Sequence, residues 1–162
     1  MYVDFDYECM EPFDDIVDGK ECCFSLEPAC HLQLNDKRNP YFFNNALMAC
    51  APSNPFMLAI IEEVFSGKEC EYPASNKFAH VMNTTGPHKL VNIYENYANK
   101  DDIYLIPADL VSPFGISDLR LIFSGFKSDL FDAKLQNAKA IHYFLGSWIY
   151  KKGNNYTFGI LA

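Results

Sequence analysis

Two aspartates, Asp4 and Asp6, stand two residues apart in Met1-Tyr2-Val3-Asp4-Phe5-Asp6-Tyr7-Glu8. Tyr2, Val3 and Phe5 are strand formers, and residues i and i+2 of a strand point the same way. The spacing therefore predicts two carboxylates on one side of an extended segment. Aspartate is depleted in strands, so such a pair belongs at a strand end, where it meets solvent or a cation. Two hard oxygen ligands this close suit Mg²⁺ or Mn²⁺, which bind through one or two carboxylates plus substrate phosphates. The competing reading of the pair alone is a solvated acidic terminus. Of the four histidines (31, 80, 88 and 142), His142 follows an apolar run and precedes Gly146-Ser147-Trp148, which holds the single tryptophan. An isolated histidine at a strand end is most often a hydrogen-bonded structural residue. Here it is also a candidate to join Asp4 and Asp6 in an Asp/Asp/His metal site. The chain has no Gly-x-Ser-x-Gly nucleophile elbow, no glycine-rich phosphate loop and no local signature of cysteine catalysis.

These residues must be held by a folded scaffold, and the composition provides one. The chain has 162 residues, the length of a single domain, with 49% hydrophobic, 15% aromatic and 21% charged residues. A formal net charge of −8 argues against a nucleic-acid backbone as partner, because phosphate binding needs clustered Lys and Arg. An anionic substrate remains accessible through a metal, which reverses the local charge. Six cysteines, at 9, 22, 23, 30, 50 and 70, make no Cys-x-x-Cys pair and no regular disulfide framework. They are expected to be reduced cytosolic thiols, mostly buried. No secretory signal is read at the acidic N-terminus, and the longest apolar run, Phe56 to Ile61, is too short to span a bilayer.

Along the chain, Pro12 opens a short helix with Phe13, Ile16 and Val17 on one face and Gly19 as its stop. Residues 22–27 read as a strand, 28–40 as a polar loop, and 41–51 as a buried strand or strand-turn in which Asn44 and Asn45 are the polar exception. Pro52-Ser53-Asn54-Pro55 opens a helix whose stripe Met57, Ile60, Ile61 and Val64 faces the core. Pro87 takes the first position of a second helix carrying Leu90, Val91, Ile93, Tyr94 and Tyr97. The N-terminus of that helix, with Thr84, Thr85 and the Gly86 backbone, is placed to meet an anion or a sugar hydroxyl, or serves as an ordinary cap. Residues 102–107 form a strand that 111–114 extend. Residues 115–138 are mixed, with a helical turn or two within 128–136. Residues 138–144 form another strand, and 150–162 a hairpin. The alternation of strands and helices indicates an α/β fold.

The first strand resembles the Tyr-Leu-Asp-x-Asp-Val-Glu strand of DXD sugar transferases, and the nearest group is the family 32 glycosyltransferases. That family includes yeast outer-chain mannosyltransferases and bacterial capsular polysaccharide enzymes. Pro12-Phe13-Asp14-Asp15 is similar to the segment after the DXD. Asn44-Asn45-Ala46 followed by Pro55-Phe56 resembles its Asn-x-hydrophobic … Pro-Phe segment. Thr85-Gly86-Pro87 matches its Thr-Gly-Pro turn, and His142 with Gly146-Ser147-Trp148 resembles its C-terminal closure. The marks occur in family order and cover residues 2 to 148.

The resemblance implies a GT-A fold and a hexosyltransferase, retaining by family analogy. It would move a sugar from a UDP- or GDP-linked nucleotide-diphosphate donor to a glycan, polysaccharide or glycolipid acceptor. Asp4 and Asp6 correspond to the DXD pair that holds Mn²⁺ or Mg²⁺ and the donor, and His142 to the histidine that completes the metal or diphosphate site. Ser147 and Trp148 would lie over the diphosphate. Asn44, Asn45, Thr85 and Gly86 would contact donor or acceptor sugar. The sequence departs from the family in lacking the Gly-Gly pair before the tyrosine and the upstream segment with its Asp-x-x-Arg helix. It therefore reads as a single domain, 1–162, corresponding to the C-terminal part of a GT-A transferase. A partner supplying the N-terminal part is one expectation. The expected location is cytoplasmic, with peripheral association at the inner face of the membrane as a further expectation. The alternative function is a non-catalytic carbohydrate-binding or interaction module, for which the aromatic content supplies stacking surfaces.

Overall fold

The stretch from Tyr2 to Glu8 does not form one strand. In the computed structural model, which describes residues 1–32, 41–67 and 73–146, it is divided between two sheets. The first half of the chain runs β1 (Tyr2–Val3), β2 (Tyr7–Cys9), α1 (Asp14–Val17), β3 (Cys22–Leu26), β4 (Phe43–Cys50), α2 (Pro55–Val64) and α3 (Lys77–Thr84). The second half runs α4 (Pro87–Asn96), β5 (Tyr104–Ile106), α5 (Ala108–Val111), α6 (Ile116–Phe123), α7 (Asp129–Leu135) and β6 (Ala140–His142). The main sheet has the order β1-β4-β3-β5, with β3 antiparallel to β4 and parallel to β5. β2 and β6 make a separate antiparallel pair. The architecture is mixed α/β around a mixed sheet.

The main sheet is covered on both faces. Cys22, Phe24 and Phe43 pack with Phe56 of α2 and with Leu90, Val91 and Ile93 of α4. Cys23, Leu47 and Ile106 meet Ile16 of α1 and Val111 of α5 on the other side. A third cluster joins Phe114, Leu119 of α6, Phe131 of α7 and Ile141 of β6. Burying these side chains is the main stabilising contribution, since each fully buried large apolar side chain is worth about 1.5–3 kcal/mol.

Asn44 bends β4. Phe24 pairs with Met48, whereas Leu26 pairs with Phe43, so two steps along β3 consume five along β4. The Asn44 side-chain oxygen accepts from the Ala46 N–H at 3.0 Å and closes the irregularity locally. The odd offset reverses the side-chain alternation. Phe43 and Leu47, four residues apart, consequently join cores on opposite faces of the sheet.

Helix signals act locally as expected in α2 and α4. The Asn54 side chain accepts from the N–H groups of Phe56 and Met57, and Pro55 takes the first turn of α2. Pro87 does the same in α4, beside Gly86, where an added Cβ would lie 3.0 Å from both Met82 Cα and Val81 O. Gly19 stops the segment after α1 with φ +68°. Other expectations are corrected. Ile61 of the predicted core stripe is exposed, while Met57 and Ile60 pack inward and Phe56 is fully buried. The expected strand extension over 111–114 is absent: Val111 ends α5 and residues 112–114 are in no strand, because Pro107 sits where a helix begins and supplies no N–H to a ladder. The mixed region contains the whole of α6. Cys22 and Cys23 are buried, but Cys9, Cys30 and Cys50 are exposed, so the described thiols are not mostly buried. The expected hairpin at 150–162, Ser147 and Trp148 lie outside the described residues. No described helix is long and apolar enough to cross a membrane.

Candidate metal centre

The two aspartates occupy a turn, not one face of a strand. β1 ends where the Asp4 N–H donates to Ala46 O at 2.7 Å, and the Tyr7 N–H returns to Asp4 O at 3.3 Å. That closes Asp4-Phe5-Asp6-Tyr7 as a β-turn, a setting in which aspartate is favoured because its short polar side chain bonds nearby backbone. The ladders on either side pull apart: β1 stays with β4, and β2 leaves for β6. In the second ladder Tyr7 lies opposite His142. The turn and the end of β6 are therefore neighbours, and the Tyr143 N–H donates to Asp6 O at 2.8 Å.

Asp4, Asp6 and His142 converge. One ligand atom from each lies within 4.8 Å of the others, with the carboxylates half-buried and the imidazole buried. His142 Nε2 is 3.5 Å from Asp6 Oδ1. The other Asp6 oxygen accepts from the Leu145 N–H at 2.8 Å, which fixes the carboxylate plane. Asp4 Oδ1 accepts from the Tyr2 hydroxyl at 2.5 Å. The imidazole is clamped between two rings, stacked on Tyr7 (4.4 Å between centroids, 7° between planes) and packed against Phe144 (3.9 Å, 39°). Its Nδ1 is buried with no hydrogen-bond partner among the described residues. Phe5, between the two aspartates, projects fully into solvent.

Charge follows geometry. Burial by itself would raise the Asp6 carboxyl, but the contact with His142 and the Leu145 N–H outweigh it and hold the group below its ordinary value. The Tyr7 hydroxyl is pushed up to about 12, chiefly by burial. It remains a neutral phenol whose ring supports the imidazole. The donor set, two carboxylates and one imidazole, fits a divalent cation. An imidazole among oxygen ligands suits Mn²⁺ better than Mg²⁺, which prefers oxygen alone.

Behind Tyr7 runs a chain of polar side chains. Its hydroxyl contacts Ser25 Oγ and Ser112 Oγ, each at 3.3 Å. Ser25 donates to Asn44 Oδ1 at 2.8 Å, and Asn44 Nδ2 donates to Glu27 Oε1 at 3.3 Å. Glu27 Oε2 lies 2.8 Å from His31 Nδ1, and His31 Nε2 accepts from the Ile116 N–H at 3.1 Å. A nitrogen that accepts carries no proton, so the His31 proton sits on Nδ1 and is donated to Glu27. His31 thereby caps α6, whose N-cap residue Gly115 has no side chain to do so. An added Cβ on Gly115 would come within 2.3 Å of Cys30 Sγ.

Of the other residues expected at the site, Asn44 lies behind Tyr7 through Ser25, and Asn45 precedes Ala46, whose carbonyl accepts from the Asp4 N–H. Asn44 is 3% exposed and its side-chain oxygen and nitrogen are both engaged inside the protein, so it is a scaffold residue and not a surface contact for sugar. Asn45 Nδ2 reaches Thr85 O at 3.5 Å, which places these two near each other. Thr85 follows α3 as its C-terminal cap and is exposed, and Gly86 is buried at the junction with α4. The residues missed in the sequence are Tyr7, Phe144 and Leu145. Their only signal was proximity to Asp6 and His142 in the chain. No protein-family model, no curated protein and no solved structure matches this chain.

Proposed function

We propose that this chain is a metal-dependent glycosyltransferase of GT-A type that uses a nucleotide-diphosphate sugar and an acceptor glycan. The observation that carries the reading is the convergence of Asp4, Asp6 and His142 from a turn and a strand at opposite ends of the described chain. Its order of motifs, resembling family 32 transferases, supports the same reading. Asp4 and Asp6 would hold Mn²⁺, or less favourably Mg²⁺, with His142 as the third ligand. When bound, the cation offsets the negative charge that develops on a nucleoside-diphosphate leaving group. The protein's part is positional. The Leu145 N–H sets the Asp6 plane, the Tyr2 hydroxyl sets Asp4, and Tyr7 and Phe144 fix the imidazole. The turn leaves Phe5 and both carboxylates accessible from solvent, the side from which a donor would approach.

Calorimetric titration with Mn²⁺, followed by UDP and GDP and their hexose conjugates, tests the reading. The expected result is Mn²⁺-dependent binding of one nucleoside diphosphate, lost in Asp4→Asn and Asp6→Asn. Nucleotide binding that ignores Mn²⁺, or Mn²⁺ binding retained in both variants, would overturn it.

A further inference from the structure

Cys22 and Cys50 face one another across β3 and β4 as directly opposed residues of an antiparallel ladder. Their place in the hydrogen-bond alternation follows from the next pair outward. The Ala51 N–H donates to Glu21 O at 2.9 Å, so residues 21 and 51 form a hydrogen-bonded pair. The adjacent pair, 22 and 50, is then of the non-hydrogen-bonded kind, in which opposed Cα atoms approach to about 4.5 Å and side chains are closest. That separation lies within the range of about 4.4–6.8 Å spanned by disulfide-linked Cα atoms. Both side chains lie on the same face of the sheet, since cross-strand partners do. Cys23, next in the chain, points to the opposite face and packs with Ile16, Leu47 and Ile106. The two thiols differ in access: Cys22 is fully buried, and Cys50 is exposed at the strand end.

We propose that Cys22 and Cys50 form a reversible cross-strand disulfide, with Cys50 as the entry point for a small-molecule disulfide oxidant such as oxidised glutathione. This inference is independent of the transferase reading. The Cys50 thiolate attacks the oxidant's S–S bond, forms a mixed disulfide and releases one glutathione thiolate. Cys22 loses its proton and attacks Cys50 Sγ, forming the protein disulfide and releasing the second thiolate. Two protein thiols are oxidised and one external disulfide is reduced to two thiols. The Cys22 thiol is pushed up to about 12, first by burial and then by the charges of Cys50 and Cys23. Attack by its thiolate is therefore the slow step, and closure accelerates as pH rises.

The test is incubation of the whole chain in glutathione buffers of increasing oxidation. Samples are acid-quenched, alkylated and analysed by intact mass and by fragmentation of the cross-linked peptides. The expected product has lost two hydrogens and carries a Cys22–Cys50 bond. Dithiothreitol reverses it, and its formation raises the melting temperature by about 5–10 °C. Cys50→Ser abolishes the product and Cys30→Ser leaves it unchanged. The proposal is overturned if Cys50 stops at the mixed disulfide in every buffer, if fragmentation assigns the bond to Cys23 or Cys30, or if Cys50→Ser still yields the oxidised product. Mapping on the unsubstituted chain decides the matter even if a variant fails to fold.

Discussion

Two acid–histidine pairs among the described residues, Asp6 with His142 and Glu27 with His31, are built to opposite ends. In the second, both ring nitrogens are used: Nδ1 meets Glu27 at 2.8 Å and Nε2 accepts from the Ile116 N–H. The pair joins the turn after β3 to the start of α6 and leaves no ring nitrogen free. In the first, Nε2 stands 3.5 Å from Asp6, Nδ1 has no partner among the described residues, and a second carboxylate, Asp4, lies within 4.8 Å. Both histidines are largely buried beside a carboxylate, and exposure does not separate them. Saturation of hydrogen-bonding capacity does. A saturated histidine is a fastener, and an unsaturated one beside two carboxylates retains the capacity to bind a ligand.

The comparison can be broken most forcefully at the carboxylates. The double variant Asp4→Asn/Asp6→Asn is expected to lose all measurable Mn²⁺ binding while keeping its circular dichroism spectrum and cooperative melt. Losing a ligand outweighs the 10–100-fold typically lost with an outer partner. Undiminished Mn²⁺ affinity would remove the distinction between the two pairs.

Next in size is His31→Ala. It removes the partner of Glu27 Oε2 and of the Ile116 N–H, while Asn44 still bonds Glu27 Oε1, and denaturant titration should show a loss of about 2–3 kcal/mol. The Mn²⁺ affinity of the folded protein should hardly change. A large change in affinity with little loss of stability would reverse the roles assigned to the two histidines.

A smaller effect is expected in pH dependence. The folded-state Asp6 carboxyl is held below its ordinary value by His142 and the Leu145 N–H, against the opposing effect of burial. Its contribution to stability is thus fully present above the unfolded-state value, at about pH 4, and is lost as pH falls through the folded-state value. Stability curves of the parent and Asp6→Asn, measured without metal, should converge on acidification. Parallel curves would show that Asp6 is not coupled to its neighbours.

The smallest effect is expected for Tyr7→Phe. It keeps the ring stacked on His142 and removes only two long hydrogen bonds, each 3.3 Å. A stability change of less than about 1 kcal/mol is expected, with unchanged metal binding. Tyr7→Ala should weaken metal binding more than Tyr7→Phe does, which separates the ring's role from the hydroxyl's.

Short-range grammar was legible in α2 and α4, but not in α3 or α5. Asn54-Pro55 and Gly86-Pro87 start helices because a side-chain or backbone cap and a preset φ act within a few residues. Gly19 stops α1 in the same way. α6 was hidden among Pro113, Gly115 and Gly125, and its first N–H is capped by His31, 85 residues away. Asn44 was visible as a polar exception in an apolar strand. Its role in bending β4 and linking Ser25 to Glu27 depends on strands brought beside it only by folding.

By itself the sequence determined which residue types were available: two nearby carboxylates, a distant histidine, and a mixed α/β alternation. The tertiary structure decided that Tyr2 to Glu8 splits between two sheets, placing Asp4 and Asp6 on a turn. It also brought His142 to that turn through the β2–β6 ladder, left His142 unsaturated while saturating His31, and set Cys22 opposite Cys50. The physical reason is range. Caps, turns and periodicity act over a few residues, whereas ladder register and the satisfaction of buried polar groups depend on partners that only the folded chain brings together.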